Sequence, residues 1–312
     1  MTKFFSSYKK VFALVLSVVA LLVALGPATF APVDADNLKL NFAAIGDTHI
    51  APFPENARGV ILAKGLRDMA KAQVKSDALV IAGDLTEVGL ISEYDKLGFA
   101  LKTFCNADNL ILEMGNHDIR GMKIGDEYPQ SYEFAAAKYR SFLEKTTGIK
   151  EDTIYFHKVI KDCYFIALNT EEVRAMETHI SPAQLAWLDT LLAQAADSGN
   201  PIFIVNHQPM KGVGEDAAPL MDVLQKYNGV ADIFFIAGHW HMGLSANSIN
   251  SDGTLHFVDL PSYGKNPGGA YTKTGAGYQV ELYEGQILFR ARNFAQGEWE
   301  SEYDRTIELV GR

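Results

Sequence analysis

The chain has 312 residues, of which 48% are hydrophobic and 21% are charged, and its formal net charge at pH 7 is −10. This acidic excess opposes binding to the backbone of a nucleic acid. The length suits one large α/β domain with a sizeable core, although two smaller domains would also fit.

The N-terminal region differs in composition from the residues that follow it. Three lysines precede the uncharged residues 11–26, and a run of small residues ends at Ala31. This order predicts a secretory signal peptide over residues 1–31 and hence a secreted or extracytoplasmic protein. Cleavage after Ala31 would leave 25 basic and 38 acidic residues. The alternative is an uncleaved N-terminal anchor, because the apolar stretch falls only slightly short of a membrane span, and no other contact with a membrane is expected.

Five apolar runs have the length and the branched or aromatic content of buried strands. They cover residues 38–45, 78–82, 110–114, 201–205 and 233–237. Each run stops at a short polar cluster, and the clusters are Asp47-Thr48-His49, Gly83-Asp84, Gly115-Asn116-His117-Asp118, Asn206-His207 and Gly238-His239-Trp240-His241. Ligands of open α/β sheets bind at the carboxyl ends of the strands. The sequence therefore predicts that the five clusters meet in one cleft.

Helices are predicted between these strands. Apolar residues recur with helical spacing in three segments, which are residues 58–75, 93–104 and 217–227. The clearest helix start is Ser181, which would cap the helix. Pro182 would occupy the first turn, and the side chain of Gln184 would reach back to complete a capping box.

Short strands follow the last cluster. They are predicted at residues 254–260, 277–281 and 286–293. The last two face each other across Glu284-Gly285, which indicates a hairpin. Repeated strand and helix units with a strand-rich tail indicate a mixed sheet or two packed sheets. We assign residues 38–312 to a single domain of this kind.

The clusters offer seven side chains that could bind metal. Asp47 and His49 are two residues apart, and in an extended backbone side chains at that spacing lie on one face. A mixture of carboxylate, imidazole and amide suits manganese, iron or zinc better than calcium. Because the donors exceed the needs of one ion, we expect two ions that share Asp84, an arrangement that suits phosphoryl displacement. The predicted donors are Asp47, His49, Asp84, Asn116, His207, His239 and His241.

In this order the five clusters resemble the full signature of the calcineurin-like metallophosphoesterase superfamily, over roughly residues 40–245. Residues 83–87 and residues 181–188, with Gln184 and Trp187, are most similar to the branch of bacterial cyclic-nucleotide phosphodiesterases and glycerophosphodiesterases. The resemblance implies an α/β (α+β) fold in which two mixed β-sheets pack face to face and are flanked by helices, as a four-layer αββα sandwich.

The resemblance also implies a role for each residue of the clusters. One ion would be held by Asp47, His49, Asp84 and His241, and the second by Asp84, Asn116, His207 and His239. A hydroxide between the ions would attack phosphorus in line, while Asn116 stabilises charge on the phosphoryl oxygens. His117 would protonate the leaving alcohol or contact the phosphate, and Asp118 would orient the imidazole of His117.

Several other residues have two interpretations. Arg120 and Lys123 follow the third cluster, and either could receive a second negative group of the substrate. Trp240 could line the substrate pocket or serve as a packing residue. Cys105 and Cys163 could form a disulfide in an oxidising compartment or could both be buried thiols.

The sequence predicts a secreted phosphoesterase with two divalent metal ions, either manganese, iron or zinc, that acts on small phosphodiesters. The first alternative is a phosphomonoesterase of the same fold. The second is a non-catalytic binding or scaffold protein that retains the fold without turnover. The complete set of seven donors together with His117 favours the enzyme, because a scaffold has no need for all eight residues.

Overall fold

Two β-sheets form the centre of the protein, whose structure is a computed structural model that describes residues 30–310. In chain order the strands are β1 (Leu40–Gly46), β2 (Ala78–Ala82), β3 (Asn109–Glu113), β4 (Phe156–Ile160), β5 (Cys163–Ala167), β6 (Ile202–Val205), β7 (Ile233–Ala237), β8 (Ile249–Asp252), β9 (Leu255–Asp259), β10 (Ala276–Leu282), β11 (Gln286–Asn293), β12 (Glu298–Trp299) and β13 (Arg305–Glu308).

The first sheet has the order β12-β11-β10-β1-β2-β3, with β13 paired to β11, and the second has the order β4-β5-β6-β7-β9-β8. In the first sheet β1, β2 and β3 are parallel, whereas β10 returns antiparallel to β1 with Leu282 opposite Leu40. In the second sheet β5, β6, β7 and β9 are parallel, and β4 and β8 are antiparallel edge strands. Both sheets are therefore mixed.

Helices cover the outer faces of the two sheets. They are α1 (Ala57–Met69), α2 (Ile91–Phe104), α3 (Asn116–Arg120), α4 (Tyr132–Thr147), α5 (Pro182–Asp197) and α6 (Ala217–Gln225). Apolar side chains of α1, α2 and α4 belong to the same core cluster as the first sheet. Leu188 of α5 and Leu220 of α6 belong to a second cluster together with the second sheet. Each helix layer thus buries an apolar face against one sheet.

The interface between the sheets is an aromatic core. Phe42 of β1 lies with its ring 5.1 Å from the ring of Phe165 on β5 and 4.9 Å from the ring of Phe203 on β6. Phe165 and Phe203 stack on each other at 4.8 Å, and all three side chains are fully buried. Because β1, β2, β6 and β7 are buried along their whole length, they read in the sequence as nearly continuous apolar runs. The predicted α/β fold with two packed mixed sheets and flanking helices is confirmed.

The hairpin of β4 and β5 is an element that the sequence analysis did not predict. Its two-residue turn consists of Lys161 and Asp162, whose φ angles are 48° and 63°. Left-handed residues at both positions define the type of turn that fits the twist of a hairpin. The usual sequence signal for this turn is a glycine or asparagine. Asp162 tolerates a left-handed angle, but Lys161 does not signal one and the turn contains no glycine. Helix α4 was also not predicted.

Helix α5 begins as predicted, but one of its capping contacts differs. The hydroxyl of Ser181 accepts a hydrogen bond from the backbone N–H of Gln184, and Pro182 is the first helical residue. The side chain of Gln184 does not reach back to Ser181, whose N–H donates to Glu171 instead. The amide of Gln184 pairs with the backbone N–H and carbonyl of Asn169, at 3.0 and 2.9 Å. The predicted capping box is wrong because these buried backbone groups require partners.

The predicted signal peptide lies outside the described residues, except for Phe30 and Ala31. Phe30 is buried, and its ring contacts the ring of Trp299 at 5.3 Å. Among residues 30–310, no helix has both the length and the apolar character that crossing a membrane requires. Cys105 and Cys163 are not joined by a disulfide bond.

A buried ion pair connects helix α1 to strand β11. The side chain of Arg292 is fully buried, and its guanidinium donates to both carboxylate oxygens of Asp68, at 2.7 and 3.0 Å. The guanidinium also lies 4.5 Å from the ring centre of Phe30 and 4.7 Å from that of Trp299. Removal of one partner from a buried pair leaves an uncompensated charge in a medium of low polarity.

We therefore expect Asp68→Ala to lower the free energy of unfolding by about 3–5 kcal/mol. The exposed pair of Lys75 and Asp108 provides a matched control, because both side chains are half exposed. Asp108→Ala is expected to lower the same free energy by less than about 1 kcal/mol. Urea unfolding of the two variants measures the difference, and equal losses would contradict the stabilising role of the buried pair.

Candidate metal centre

The carboxyl ends of five strands bring the predicted donors to one edge of the two sheets. Asp47 and His49 follow β1, Asp84 follows β2, and Asn116 follows β3. The second sheet contributes the residues after β6 and β7, which are His207, His239 and His241. The rise and direction of parallel strands place their carboxyl ends together, so donors separated by almost two hundred residues become neighbours.

The first group of donors consists of two carboxylates and two imidazoles. One ligand atom from each of Asp47, His49, Asp84 and His241 lies within 4.8 Å of the others. Nε2 of His49 lies 3.3 Å from Oδ2 of Asp84, and Nε2 of His241 lies 3.4 Å from Oδ1 of Asp47. These four atoms converge on one point, as the ligands of a single cation would.

The second group meets the first at Asp84. Nε2 of His207 lies 3.2 Å from Oδ2 of Asp84, the same oxygen that His49 approaches. Nδ1 of His239 lies 3.3 Å from Nε2 of His207. Oδ1 of Asn116 is buried and accepts no hydrogen bond within the described part of the chain. Asp84 is therefore the carboxylate that faces both groups.

The chemistry of these groups fits divalent cations. Nε2 of His49 and Nε2 of His241 lie only 2.8 Å apart. Two neutral imidazoles would direct lone pairs at each other at that distance, unless a proton or a metal ion lies between them. Burial opposes charge on His207, but the carboxylates of Asp84 and Asp47 outweigh it and raise the pKa of this imidazole to about 10. The buried carboxylates therefore favour positive charge at the centre.

Backbone conformation at the centre is unusual. Five of the seven predicted donors have left-handed φ angles between 44° and 75°, and they are Asp47, His49, Asp84, His239 and His241. Such residues are uncommon outside glycine, and they cluster at functional sites. The expectation that Asp47 and His49 share one face of an extended backbone is therefore wrong. The chain instead turns sharply, which brings Oδ1 of Asp47 to 3.9 Å from Nε2 of His49.

Two glycines of the predicted clusters allow the backbone to approach the donors closely. A Cβ at Gly83 would lie 2.3 Å from Nδ1 of His207, and Gly83 has a φ angle of 68°. A Cβ at Gly115 would lie 2.2 Å from both the backbone nitrogen and Oδ1 of Asp84. Neither position can accept a side chain without displacement of a donor, which explains the glycine before Asp84 and the glycine before Asn116.

His117 lies beside the first group, with its ring centre 4.7 Å from that of His49. Its Nδ1 lies 2.7 Å from the backbone oxygen of Glu87, which assigns the proton of the neutral ring to Nδ1. Nε2 lies 4.0 Å from Oδ2 of Asp84 and 2.5 Å from Nη2 of Arg120. Burial lowers the pKa of His117 to about 4, and the charge of Arg120 acts in the same direction.

Asp118 makes no hydrogen bond with the ring of His117, which corrects our expectation that it orients the imidazole. Its carboxylate accepts hydrogen bonds at 2.9 Å from the backbone N–H groups of Leu85, Thr86 and Gly115. The hydroxyl of Thr86 donates to the same carboxylate at 2.6 Å. These buried loop N–H groups need an acceptor, whereas the ring of His117 already has one. Asp118 therefore holds together the loops that carry two of the donors.

Asn116 has a further contact that the sequence analysis did not predict. One N–H of its side-chain amide donates to the backbone carbonyl of Ala175, at 2.6 Å. Nη1 of Arg120 donates to the same carbonyl at 2.5 Å. Lys123 is exposed and lies 3.5 Å from Asp126. Of the two basic residues considered at the rim, Arg120 therefore shares an acceptor with Asn116 and contacts His117, whereas Lys123 pairs with Asp126.

Glu87 lies beside the centre, although the sequence analysis assigned no role to it. Its Oε2 lies 3.1 Å from Nδ1 of His49, and its Oε1 lies 3.1 Å from Nζ of Lys265. Arg58 also contacts this carboxylate. Burial would raise the pKa of Glu87, but the contact with His49 and the charges of Lys265 and Arg58 lower it well below its usual range. A carboxylate at the outer nitrogen of a ligand histidine fixes the ring so that its other nitrogen faces the metal.

We expect Glu87→Gln to weaken the binding of Mn²⁺ by about 10–100-fold, because the neutral amide supports the basicity of His49 less well. Titration calorimetry of the metal-free protein with Mn²⁺ measures the change. Glu55→Gln is the matched control, since Glu55 also lies beside Arg58, at 3.8 Å. Equal affinities of the two variants for Mn²⁺ would contradict the role assigned to Glu87.

The segment that carries this centre is similar to known proteins. The model of the family described as calcineurin-like phosphoesterase matches residues 40–243. A protein named "Probable cyclic nucleotide phosphodiesterase" from Rhodococcus erythropolis is 27% identical over 217 residues, which cover 65% of this chain and 65% of that protein. A "cAMP/cGMP dual specificity phosphodiesterase" from Mycobacterium tuberculosis is 27% identical over 222 residues, which cover 66% of this chain and 63% of that protein. The chain thus spans just under two thirds of the length of both relatives.

The fold is similar to that of a dimetal phosphatase from Danio rerio. The two structures superpose with a TM-score of 0.62, over 88% of this chain and 100% of that one. The sequence identity is only 14%, so this similarity concerns the fold alone. It agrees with the arrangement of two mixed sheets between helix layers.

Proposed function

The chain belongs to the calcineurin-like phosphoesterase family, and on that premise we propose that it is a metal-dependent phosphoric ester hydrolase that acts on small phosphodiesters. The observation that carries the proposal is the convergence of six donors from both sheets, with one oxygen of Asp84 close to His49 and to His207. The preference for diesters is supported by the two relatives, both of which are named as phosphodiesterases.

Two alternatives to this proposal differ in what they require of the centre. A phosphomonoesterase would use the same donors and would differ in the groups that receive the substrate. A non-catalytic scaffold would need neither the donors nor His117. The buried Oδ1 of Asn116 and the strained backbone of five donors favour an enzyme, because a scaffold gains nothing from them.

Two divalent cations would bind between the two groups of donors. One would be held by Asp47, His49, Asp84 and His241, and the other by Asp84, Asn116, His207 and His239. When bound, the cations would provide an activated water as nucleophile and would neutralise charge on the phosphoryl oxygens. The donor set accepts manganese, iron or zinc, and availability in the cell decides between them.

His117 would act on the leaving group or on the phosphate through Nε2. Nδ1 is engaged by the backbone oxygen of Glu87, so either role needs a proton on Nε2. The anionic substrate would draw the guanidinium of Arg120 away from Nε2 and would favour that proton. His117 could then protonate the leaving alcohol as the bond to phosphorus breaks.

Arg120 is our candidate for receiving a second negative group of the substrate. A charged hydrogen bond of this kind is worth about 1.5–3 kcal/mol, so Arg120→Ala should lower kcat/KM for a doubly charged phosphodiester by roughly 10–100-fold. The loss should be smaller for bis(p-nitrophenyl) phosphate, which carries one charge. Arg140→Ala is the control, because Arg140 is an exposed arginine that contacts the backbone of Asp152. Equal losses on both substrates in Arg120→Ala would remove Arg120 from this role.

We also propose that the protein acts outside the cytoplasm and that residues 38–312 form one domain. The first proposal is supported by the lysines and apolar residues of the predicted signal peptide. N-terminal sequencing of the protein from culture medium and membranes tests it, and an intact Met1 in a soluble cell extract would contradict it. The second is supported by the pairing of β10 with β1, which joins the strand-rich C-terminal region to the first strand of the segment. A single cooperative unfolding transition is expected.

Hydrolysis of bis(p-nitrophenyl) phosphate by the metal-reconstituted protein tests the proposed function. Mn²⁺, Fe²⁺ and Zn²⁺ should be compared, together with a panel of cyclic nucleotides, glycerophosphodiesters, nucleotides and sugar phosphates. We expect turnover that requires added metal and that favours a diester of the panel. Turnover of monoesters only would favour the first alternative, and no turnover of any phosphoester with any of the metals would favour the scaffold.

A further inference from the structure

A pocket of about 320 Å³ lies directly beside the candidate metal centre. It is enclosed by the loop that follows β7 and by the end of β9. These strands are adjacent and parallel, so the pocket opens at the same edge of the sheets as the centre, one strand further along. The side chains used below are those of Trp240, Met242, Ser245, Asn247 and Asp259.

The wall between the pocket and the centre is the cluster of residues 238–241. The backbone N–H of His239 donates to both oxygens of the Asp47 carboxylate, at 3.1 and 3.2 Å. Trp240 follows directly and lies between the candidate donors His239 and His241 in the chain. Its ring lies 4.9 Å from the ring of His239. A ligand whose phosphate occupies the centre could therefore place its next group against Trp240.

The pocket exposes apolar surface that the fold does not cover. Trp240 is 46% exposed, and Met242 is 50% exposed. The structure therefore favours the interpretation of Trp240 as a residue that lines a pocket. A flat aromatic ring and a polarizable thioether are surfaces on which a planar heterocycle stacks favourably. Exposed aromatic side chains bind nucleobases in this way, whatever the base.

Polar groups that also line the pocket suit the edge of a base. Asp259 ends strand β9 and provides a carboxylate, which can only accept hydrogen bonds when ionised. Burial raises the pKa of Asp259 to about 6, while the charge of Lys211 acts in the opposite direction. In its ionised form the carboxylate would accept a hydrogen bond from an amino group of a heterocycle. Ser245 and Asn247 add a hydroxyl and an amide that can donate or accept.

We propose that this pocket binds the base of a nucleoside phosphodiester, with Trp240 stacked on the base and Asp259 accepting from its amino group. The inference rests on the proposed function, since the phosphate of the same substrate would occupy the metal centre. A small alcohol such as glycerol offers neither a plane for Trp240 nor an amino group for Asp259. Selectivity for nucleoside over glycerol diesters therefore originates in this pocket.

The kinetic test compares two diesters. For the manganese-loaded protein, kcat/KM is measured on cyclic AMP and on glycerophosphoethanolamine. The ratio of the two values should fall about tenfold in Trp240→Leu and in Asp259→Leu, because the pocket contacts only the base. Trp187→Leu is the control. Trp187 belongs to α5 and does not line the pocket, and its ring packs against the ring of Tyr155. A ratio that stays at the wild-type value in both pocket variants would overturn the proposal.

A binding measurement separates this inference from the proposed function. Calorimetry with adenosine 5′-monophosphate should give an affinity about tenfold weaker in Trp240→Leu than in the wild-type protein. If the wild-type protein hydrolyses glycerophosphoethanolamine but this affinity is unchanged in Trp240→Leu, the pocket proposal fails and the proposed function stands. If neither diester is hydrolysed, the proposed function fails, whereas adenosine 5′-monophosphate binding that depends on Trp240 still supports the pocket.

Discussion

Asp84→Asn is expected to lower kcat on phosphodiesters by about a thousandfold or more. Asp84 is the donor that faces both groups, through an oxygen 3.3 Å from His49 and 3.2 Å from His207. The nearby imidazoles lower the pKa of Asp84 well below its usual value in spite of burial, so its charge belongs to the native state. A neutral amide would remove that charge from both metal positions at once.

The metal content of the variant measures the same effect independently of activity. Elemental analysis of the reconstituted protein should give about two ions per wild-type chain and fewer in Asp84→Asn. Asp189→Asn is the control, because Asp189 is a surface carboxylate of α5 that pairs with Lys226. Circular dichroism of both variants verifies folding. A folded Asp84→Asn protein with full metal content and wild-type kcat would contradict the shared role of this carboxylate.

His117→Asn is expected to have the second largest effect, and the effect should depend on the leaving group. General acid catalysis contributes about 10²–10⁴-fold, and an alkoxide needs that proton far more than p-nitrophenolate does. We therefore expect a loss in this range on diesters with alkyl leaving groups. On bis(p-nitrophenyl) phosphate the loss should be at least about tenfold smaller.

Single-turnover rates on the two kinds of diester measure this difference without interference from product release. His179→Asn is the control, because His179 is a half-buried histidine that contacts Asp216 rather than the centre. An equal loss on both substrates would assign His117 to contact with the phosphate. Wild-type rates on both would exclude His117 from the reaction.

The positions of the donors were predictable because they depend on local chain properties. Buried parallel strands read as apolar runs, and their ends are marked by the first polar residues. Because parallel strands expose their carboxyl ends at one edge, the approach of His49 and Asp84 follows from the pairing of β1 with β2. The approach of His207 to Asp84 depends on the packing of the second sheet against the first. Strands β4 and β5 lack such a mark, and their hairpin was not predicted. The turn at Lys161 and Asp162 adopts left-handed angles, which Lys161 does not signal and which no glycine marks.

The partners of individual side chains were decided only by the tertiary structure. Asp118 follows His117 directly, yet its carboxylate binds the N–H groups of Leu85 and Thr86 from another loop. Glu87 lies in the segment of residues 83–87, but nothing in that segment indicated a role for it, and its contact with Lys265 joins residues far apart in the chain.

The amino-acid sequence by itself determined the five strands that end at the polar clusters, the end of each strand at which the donors lie and the kind of ion they suit, because these follow from periodicity and residue chemistry. The tertiary structure alone decided the left-handed backbone of the donors, the contact of Glu87 with His49 and the exposure of Trp240. Those features arise where buried polar groups must find partners across the fold, and such pairings depend on how distant segments pack.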